Sequence, residues 1–175
     1  MKYKDIKIVV ALGNPGPKYE NTFHNVGVFV LEQFQDLADE REFSGLDFIV
    51  LPGFMNHSGL NLYQHLKNTN YELKNCLVIH DDSDLELGSY KISFSKSSAG
   101  QKGVQNIIDQ FGNNEFWRLR IGIRNPSEVS KAGLPAVAPR AKAGDFVLKK
   151  MSQEARGAVH KVAVEAFAEL FGLST

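Results

Sequence analysis

Cysteine is nearly absent from these 175 residues, Cys76 being the only one. A single thiol excludes an internal disulfide, and its place in the run Cys76-Leu77-Val78-Ile79 marks it as a small core residue of a reducing compartment. No apolar run reaches membrane-spanning length, and residues 1–20 hold no signal-peptide core, so the chain is expected to act in the cytoplasm without a membrane partner. There is no Gly-x-Ser-x-Gly elbow to present a serine nucleophile, no internal repeat and no sign of a second domain. Net charge is also missing, with 20 Lys+Arg against 20 Asp+Glu. On its face that argues against a polyanionic partner. The charges are unevenly placed, however: residues 1–95 hold 8 Lys+Arg and 13 Asp+Glu, and residues 96–175 hold 12 and 7. A face built from the second half would still present cations to phosphates.

What is present is organised around Leu12 to Asn25. The apolar run Ile6, Ile8, Val9, Val10 predicts a strand, and Val26, Phe29, Val30, Phe34 and Leu37 recur at helical spacing to about Glu40. Between them, Gly13 and Gly16 permit special backbone angles and Pro15 and Pro17 fix φ, which predicts a stiff loop carrying Asn14, His24 and Asn25. Thr22 is the expected N-cap, placing His24 in the first helical turn, where the dipole disfavours an imidazolium. A histidine there is either a base or simply a solvated side chain.

Further along, Asp47 to Leu51 reads as a short strand, with Ser58 capping a helix that carries Leu62, Tyr63 and Leu66. Met55 and Asn56 fall in the loop between, where asparagine is ordinarily turn chemistry. Leu77 to His80 predicts a buried parallel strand ending in the cluster Asp81, Asp82, Asp84, Glu86. Such a cluster suggests a cation site or an orienting partner for a base, and the further ligands a metal needs are not apparent. Tyr90, Ile92 and Phe94 alternate with polar residues, as in a half-exposed strand. The run Ser95 to Gly100 leads into a helix with Val104, Ile107, Ile108 and Phe111, and Lys96 at its approach is either a phosphate contact or part of a solvated loop. Trp117, Leu119, Ile121 and Ile123 alternate with Arg118, Arg120 and Arg124, which are either salt-bridge partners of the acidic first half or contacts to a polyanion. Residues 127–144 predict a long mobile loop, and Ser152 caps a last helix ending at Gly172. The alternation of strands and helices predicts a single α/β domain over 1–175, three layers deep, with a mainly parallel, twisted mixed sheet flanked by helices.

Four blocks, in order, resemble the bacterial-type peptidyl-tRNA hydrolase family. They are Gly13 to Gly27, Phe54-Met55-Asn56-His57-Ser58-Gly59, His80-Asp81-Asp82-Ser83-Asp84-Leu85 with Gly88, and Arg118-Leu119-Arg120-Ile121-Gly122-Ile123 before Pro126. The match runs from about Ile6 to Val147. The resemblance implies hydrolysis of the ester between a peptide and tRNA, with His24 as the base that activates water and Asp81 as its orienting carboxylate. It implies substrate binding by Asn14, Tyr19, Met55, Asn56 and Lys102, with Lys96, Arg118, Arg120 and Arg124 as candidate tRNA contacts. It implies no cofactor and no metal, and as partner a tRNA carrying a peptidyl or N-blocked aminoacyl group, met by a monomer with no obligate protein partner. Four positions depart from the family pattern. Gly100-Gln101-Lys102-Gly103 stands where Gly-His-Asn-Gly is usual, Phe23 where arginine is common, and Arg124 where glycine is common. The alternatives are an RNA-binding homologue with weak or no turnover and a carboxylate-clustered metal enzyme acting on another small ester.

Overall fold

The computed structural model describes residues 3–125 and 147–172. The loop expected over 127–144 lies outside them. The strands are β1 (Ile8–Ala11), β2 (Asp47–Val50), β3 (Cys76–Glu86), β4 (Tyr90–Phe94) and β5 (Trp117–Arg124). Among the described residues they form one sheet in the order β2-β1-β3-β5-β4. All neighbours are parallel except β4, which runs antiparallel to β5 at the edge. The helices are α1 (Val26–Glu40), α2 (Ser58–Leu66), α3 (Lys102–Phe111) and α4 (Gln153–Phe171).

Alternation along the strands divides the apolar residues between two layers. Val9 and Ala11 of β1, Leu77 and Ile79 of β3, and Leu119, Ile121 and Ile123 of β5 join Val26, Val30 and Phe34 of α1 and Val159, Val162 and Phe167 of α4 in one core. Ile8, Val10, Cys76 and Val78 face the other way, onto Leu62 and Leu66 of α2 and Val104 and Ile107 of α3. The result is the expected helix–sheet–helix sandwich. Ser152 caps α4 by accepting from the N–H of Ala155 at 3.1 Å, and the helix ends at Gly172 with φ 72°.

Gly27 is required by packing. A Cβ there would lie 2.6 Å from the carbonyl oxygen of Ile79 and 2.9 Å from that of Leu12. The bare backbone of α1 therefore rests directly on the end of β1 and on β3 at Ile79, which fixes the start of the helix against the sheet.

Two local expectations are corrected. Thr22 does not cap α1; its hydroxyl donates to the carbonyl of Tyr19 at 2.7 Å, and a 3-10 turn, Phe23–Asn25, precedes the helix. His24 lies in that turn rather than in the first turn of α1. Ser58 likewise begins α2 without capping it, because a 3-10 turn over Met55–His57 comes first.

Candidate active site

β1 ends at Ala11, opposite Ile79 of β3, so Asp81 lies beyond the last rung the two strands share. Here the outgoing connections diverge: β1 leads through α1 to β2 on one side, and β3 leads to β4 and β5 on the other. Such a divergence in a parallel sheet opens a crevice at the carboxyl ends of the strands.

Nδ1 of His24 lies 3.0 Å from Oδ2 of Asp81, the two side chains being 24% and 8% exposed. An ionised carboxylate only accepts, so Nδ1 carries the hydrogen and the neutral ring keeps its lone pair on Nε2. The other carboxylate oxygen, Oδ1, accepts from Nε2 of Gln101 at 3.0 Å. Oε1 of Gln101 in turn accepts from the N–H of Val104 at 3.0 Å and caps α3.

Asn14 is held just as firmly. The side chain of Asn25 clamps its backbone, Oδ1 accepting from the N–H and Nδ2 donating to the carbonyl, both at 2.9 Å. Oδ1 of Asn14 accepts from the N–H of Met55 at 2.9 Å, tying the loop after β1 to the turn after β2. With its oxygen engaged, Asn14 presents Nδ2 as a donor. No hydrogen bond to that nitrogen occurs among the described residues.

Prolines are only part of why this loop is stiff. Residues 147–151 strap it from outside: the N–H groups of Phe23 and His24 donate to the carbonyls of Lys149 and Val147 at 3.1 and 2.8 Å. Nζ of Lys150 donates to the carbonyls of Pro17 and Glu20 at 3.0 and 2.5 Å. Nothing in the spacing of the sequence linked these segments.

The other expected site residues are less uniform. Tyr19 packs edge-on against the exposed Phe54, with ring centroids 6.1 Å apart. Asn56, Lys96 and Lys102 are exposed. Met55 is only 4% exposed, and its sulfur accepts from Gln101 at 3.2 Å, so it forms the floor of the site rather than an open contact surface.

The acidic cluster does not act as a unit, because β3 continues through it to Glu86 and the alternating side chains part company. Asp81 meets His24. Asp82 accepts from Nε of Arg120 at 2.5 Å, and Asp84 lies 3.8 Å from Arg124, whose Nε also donates to the carbonyl of Ser83 at 2.6 Å. Two of the expected tRNA-binding arginines are thus paired within the chain. The third expectation is corrected outright: Arg118 is 1% exposed, between Val78 of β3 and Ser93 of β4, and a phosphate in solvent does not reach it. Burial, with Arg120 nearby, lowers its pKa. Alternation along β5 was read correctly, but it does not tell which positions the neighbouring strands cover.

His80, fully buried beside Asp81, has Nδ1 2.8 Å from the Asp81 carbonyl, and burial lowers its pKa. Burial also pushes the thiol of Cys76 up to about 12, which rules it out as a nucleophile at neutral pH. Gln101 was missed from sequence because glutamine is not among the side chains that usually signal an N-cap.

The family model described as peptidyl-tRNA hydrolase matches residues 8–174. The peptidyl-tRNA hydrolase of Pseudothermotoga lettingae is 35% identical over 176 residues, covering 92% of this chain and 88% of its own. That of Wolbachia pipientis is 34% identical over 160 residues, covering 83% and 81%. Among solved structures, peptidyl-tRNA hydrolase from Acinetobacter baumannii superposes with a TM-score of 0.76 at 23% identity, over 95% of this chain and 87% of that one, a likeness of fold. On the family match and the identity to these relatives, this chain belongs to the peptidyl-tRNA hydrolase family.

Proposed function

We propose that this chain hydrolyses the ester joining the C-terminal carboxyl of a peptide to the terminal ribose of tRNA, with His24 as general base. The observation that carries the reading is the 3.0 Å contact between His24 and Asp81, on a ring that remains partly open to solvent. Nε2 of His24 takes a proton from water as its oxygen bonds to the ester carbonyl carbon. The carbonyl becomes a tetrahedral oxyanion, and Asp81 stabilises the imidazolium without accepting its proton. Collapse breaks the bond to the ribose oxygen, which receives the proton from Nε2. The products are tRNA with a free ribose hydroxyl and a peptide carboxylic acid, which loses its proton to solvent.

Nδ2 of Asn14, the amide of Asn56 and the ammonium of Lys102 are the donors assigned to the substrate carbonyl and developing oxyanion. Lys102 supplies charge where relatives have an amide. Being charged, it does not accept a hydrogen bond from water, so positioning of water falls to His24. Tyr19, with Phe54 against it, offers an apolar wall for the peptide, and Lys96 and Lys102 are the candidate phosphate contacts among the described residues. No described helix is long and apolar enough to cross a membrane. We assign the chain to the cytoplasm as a monomeric single domain, for which sedimentation at one chain mass and a single cooperative unfolding transition are the expected results.

The test is release of peptide from a defined N-blocked aminoacyl-tRNA, with free aminoacyl-tRNA as control. The native chain is expected to cleave only the blocked form. His24→Ala is expected to lose about a hundredfold to ten-thousandfold in rate while keeping fold and tRNA affinity. Cleavage by His24→Ala at the native rate would overturn the assignment, and binding without cleavage by the native chain would make it an RNA-binding homologue.

A further inference from the structure

We infer that Gln101 is a positioning residue of the site, holding the Asp81 carboxylate in the one orientation that fixes the His24 ring. The inference deepens the hydrolase reading and rests on it. Three contacts define the Gln101 amide: Oε1 accepts from the N–H of Val104 at 3.0 Å, and Nε2 donates to Oδ1 of Asp81 at 3.0 Å and to the sulfur of Met55 at 3.2 Å. The reversed amide would set an oxygen against a carboxylate oxygen and an NH2 against a backbone N–H. The helix cap therefore decides which end of the amide faces Asp81.

The consequence reaches His24 through the carboxylate. The bond from Cβ to the carboxyl carbon of an aspartate turns over a broad, nearly two-fold well, so one hydrogen bond leaves the plane of the group loosely defined. Here the two oxygens are held from opposite sides of the sheet: Oδ2 by His24, ahead of α1, and Oδ1 by Gln101, at the start of α3. Two points fix the plane. An ionised Asp81 demands the hydrogen on Nδ1 of His24 and leaves Nε2 free to act as the base. The titratable neighbour in sequence, His80, donates from Nδ1 to the Asp81 carbonyl and not to its carboxylate.

The alternative is that Gln101 is only a helix cap. Gln101→Glu separates the two, because a glutamate oxygen caps Val104 as well as the amide oxygen does but turns an acceptor toward Asp81. Facing carboxyl groups share a proton, so this variant regains its donor only as the pH falls. Two measurements on the whole chain decide it: the 15N resonances of the His24 ring, which report its tautomer, and kcat and KM on N-blocked aminoacyl-tRNA across pH. Positioning predicts a lower share of the Nδ1–H tautomer at neutral pH and a kcat lower by on the order of tenfold, with KM unchanged. It also predicts that the ratio of variant to native kcat recovers toward acid. Gln101→Leu, which loses cap and donor together, should show the same His24 change with a lowered Tm and no recovery. Native ring resonances and native kcat in Gln101→Glu would overturn the inference while leaving His24 as base untouched. A shifted tautomer with unchanged kcat would support positioning of the ring and count against His24 as the base instead.

Discussion

Buried next to the reacting pair, the imidazole of His80 ties stability to pH. Burial lowers its pKa below the ordinary value of 6.5, and its Nδ1 donates to the Asp81 carbonyl. The unfolded chain takes up this proton more readily than the folded one, so protons favour unfolding. Its contribution is intact above about pH 6.5 and is lost as the pH falls from there toward the folded value, at up to about 1.4 kcal/mol per pH unit. Denaturant titrations at pH 7.5 and pH 5 are expected to show a smaller acid loss in His80→Asn, which keeps a donor to the carbonyl but does not titrate. An acid loss equal to the native one would remove His80 from this role. The roles of the residues were unevenly legible in the sequence. Asn14 follows β1 and Asp81 follows the apolar run of β3, where a polar residue attracts notice, and His24 stands in the turn that opens α1. Gln101 and Asn25 act through a single amide each, and no periodicity marks an amide as an orienting group.

Elements were easier to read than their junctions. Period-two alternation exposed β4 and β5, helical spacing exposed α1 and α3, and Ser152 with Gly172 bounded α4 as expected. The 3-10 turns before α1 and α2 escaped, because three residues are too few to carry a period and the polar residues there look like ordinary caps. The strap formed by residues 147–151 escaped too, since backbone hydrogen bonds between distant segments depend on no particular side chain. The seat of α1 offers a test at this scale. In Gly27→Ala the new methyl would be 2.6 Å from the Ile79 carbonyl oxygen, and backbone atoms do not swing aside as a flexible side chain would. The variant is expected to lose about 1–3 kcal/mol of stability, as an overpacked core does. It should also lose activity beyond what that instability explains, because the turn carrying His24 moves with α1. Native stability with native activity would show that the close approach is not needed.

Across the whole molecule, part of the uneven distribution of charge is paired internally. Asp82 and Asp84 from the acidic half hold Arg120 and Arg124 from the basic half, side by side on β3 and β5. The sequence could show the imbalance but not its pairing, which depends on two strands being neighbours. The same neighbourhood, with two apolar layers closing on either face of the sheet, leaves the crevice between β1 and β3 as the place where His24, Asp81 and Asn14 converge. In this mechanism Asp81 serves the reaction through His24 alone. Single-turnover hydrolysis of N-blocked aminoacyl-tRNA by His24→Ala, Asp81→Asn and the double variant measures that coupling. Each single change is expected to cost about a hundredfold or more, and the double variant to be no slower than His24→Ala. Losses that multiply in the double variant, or a native rate in Asp81→Asn, would contradict the mechanism.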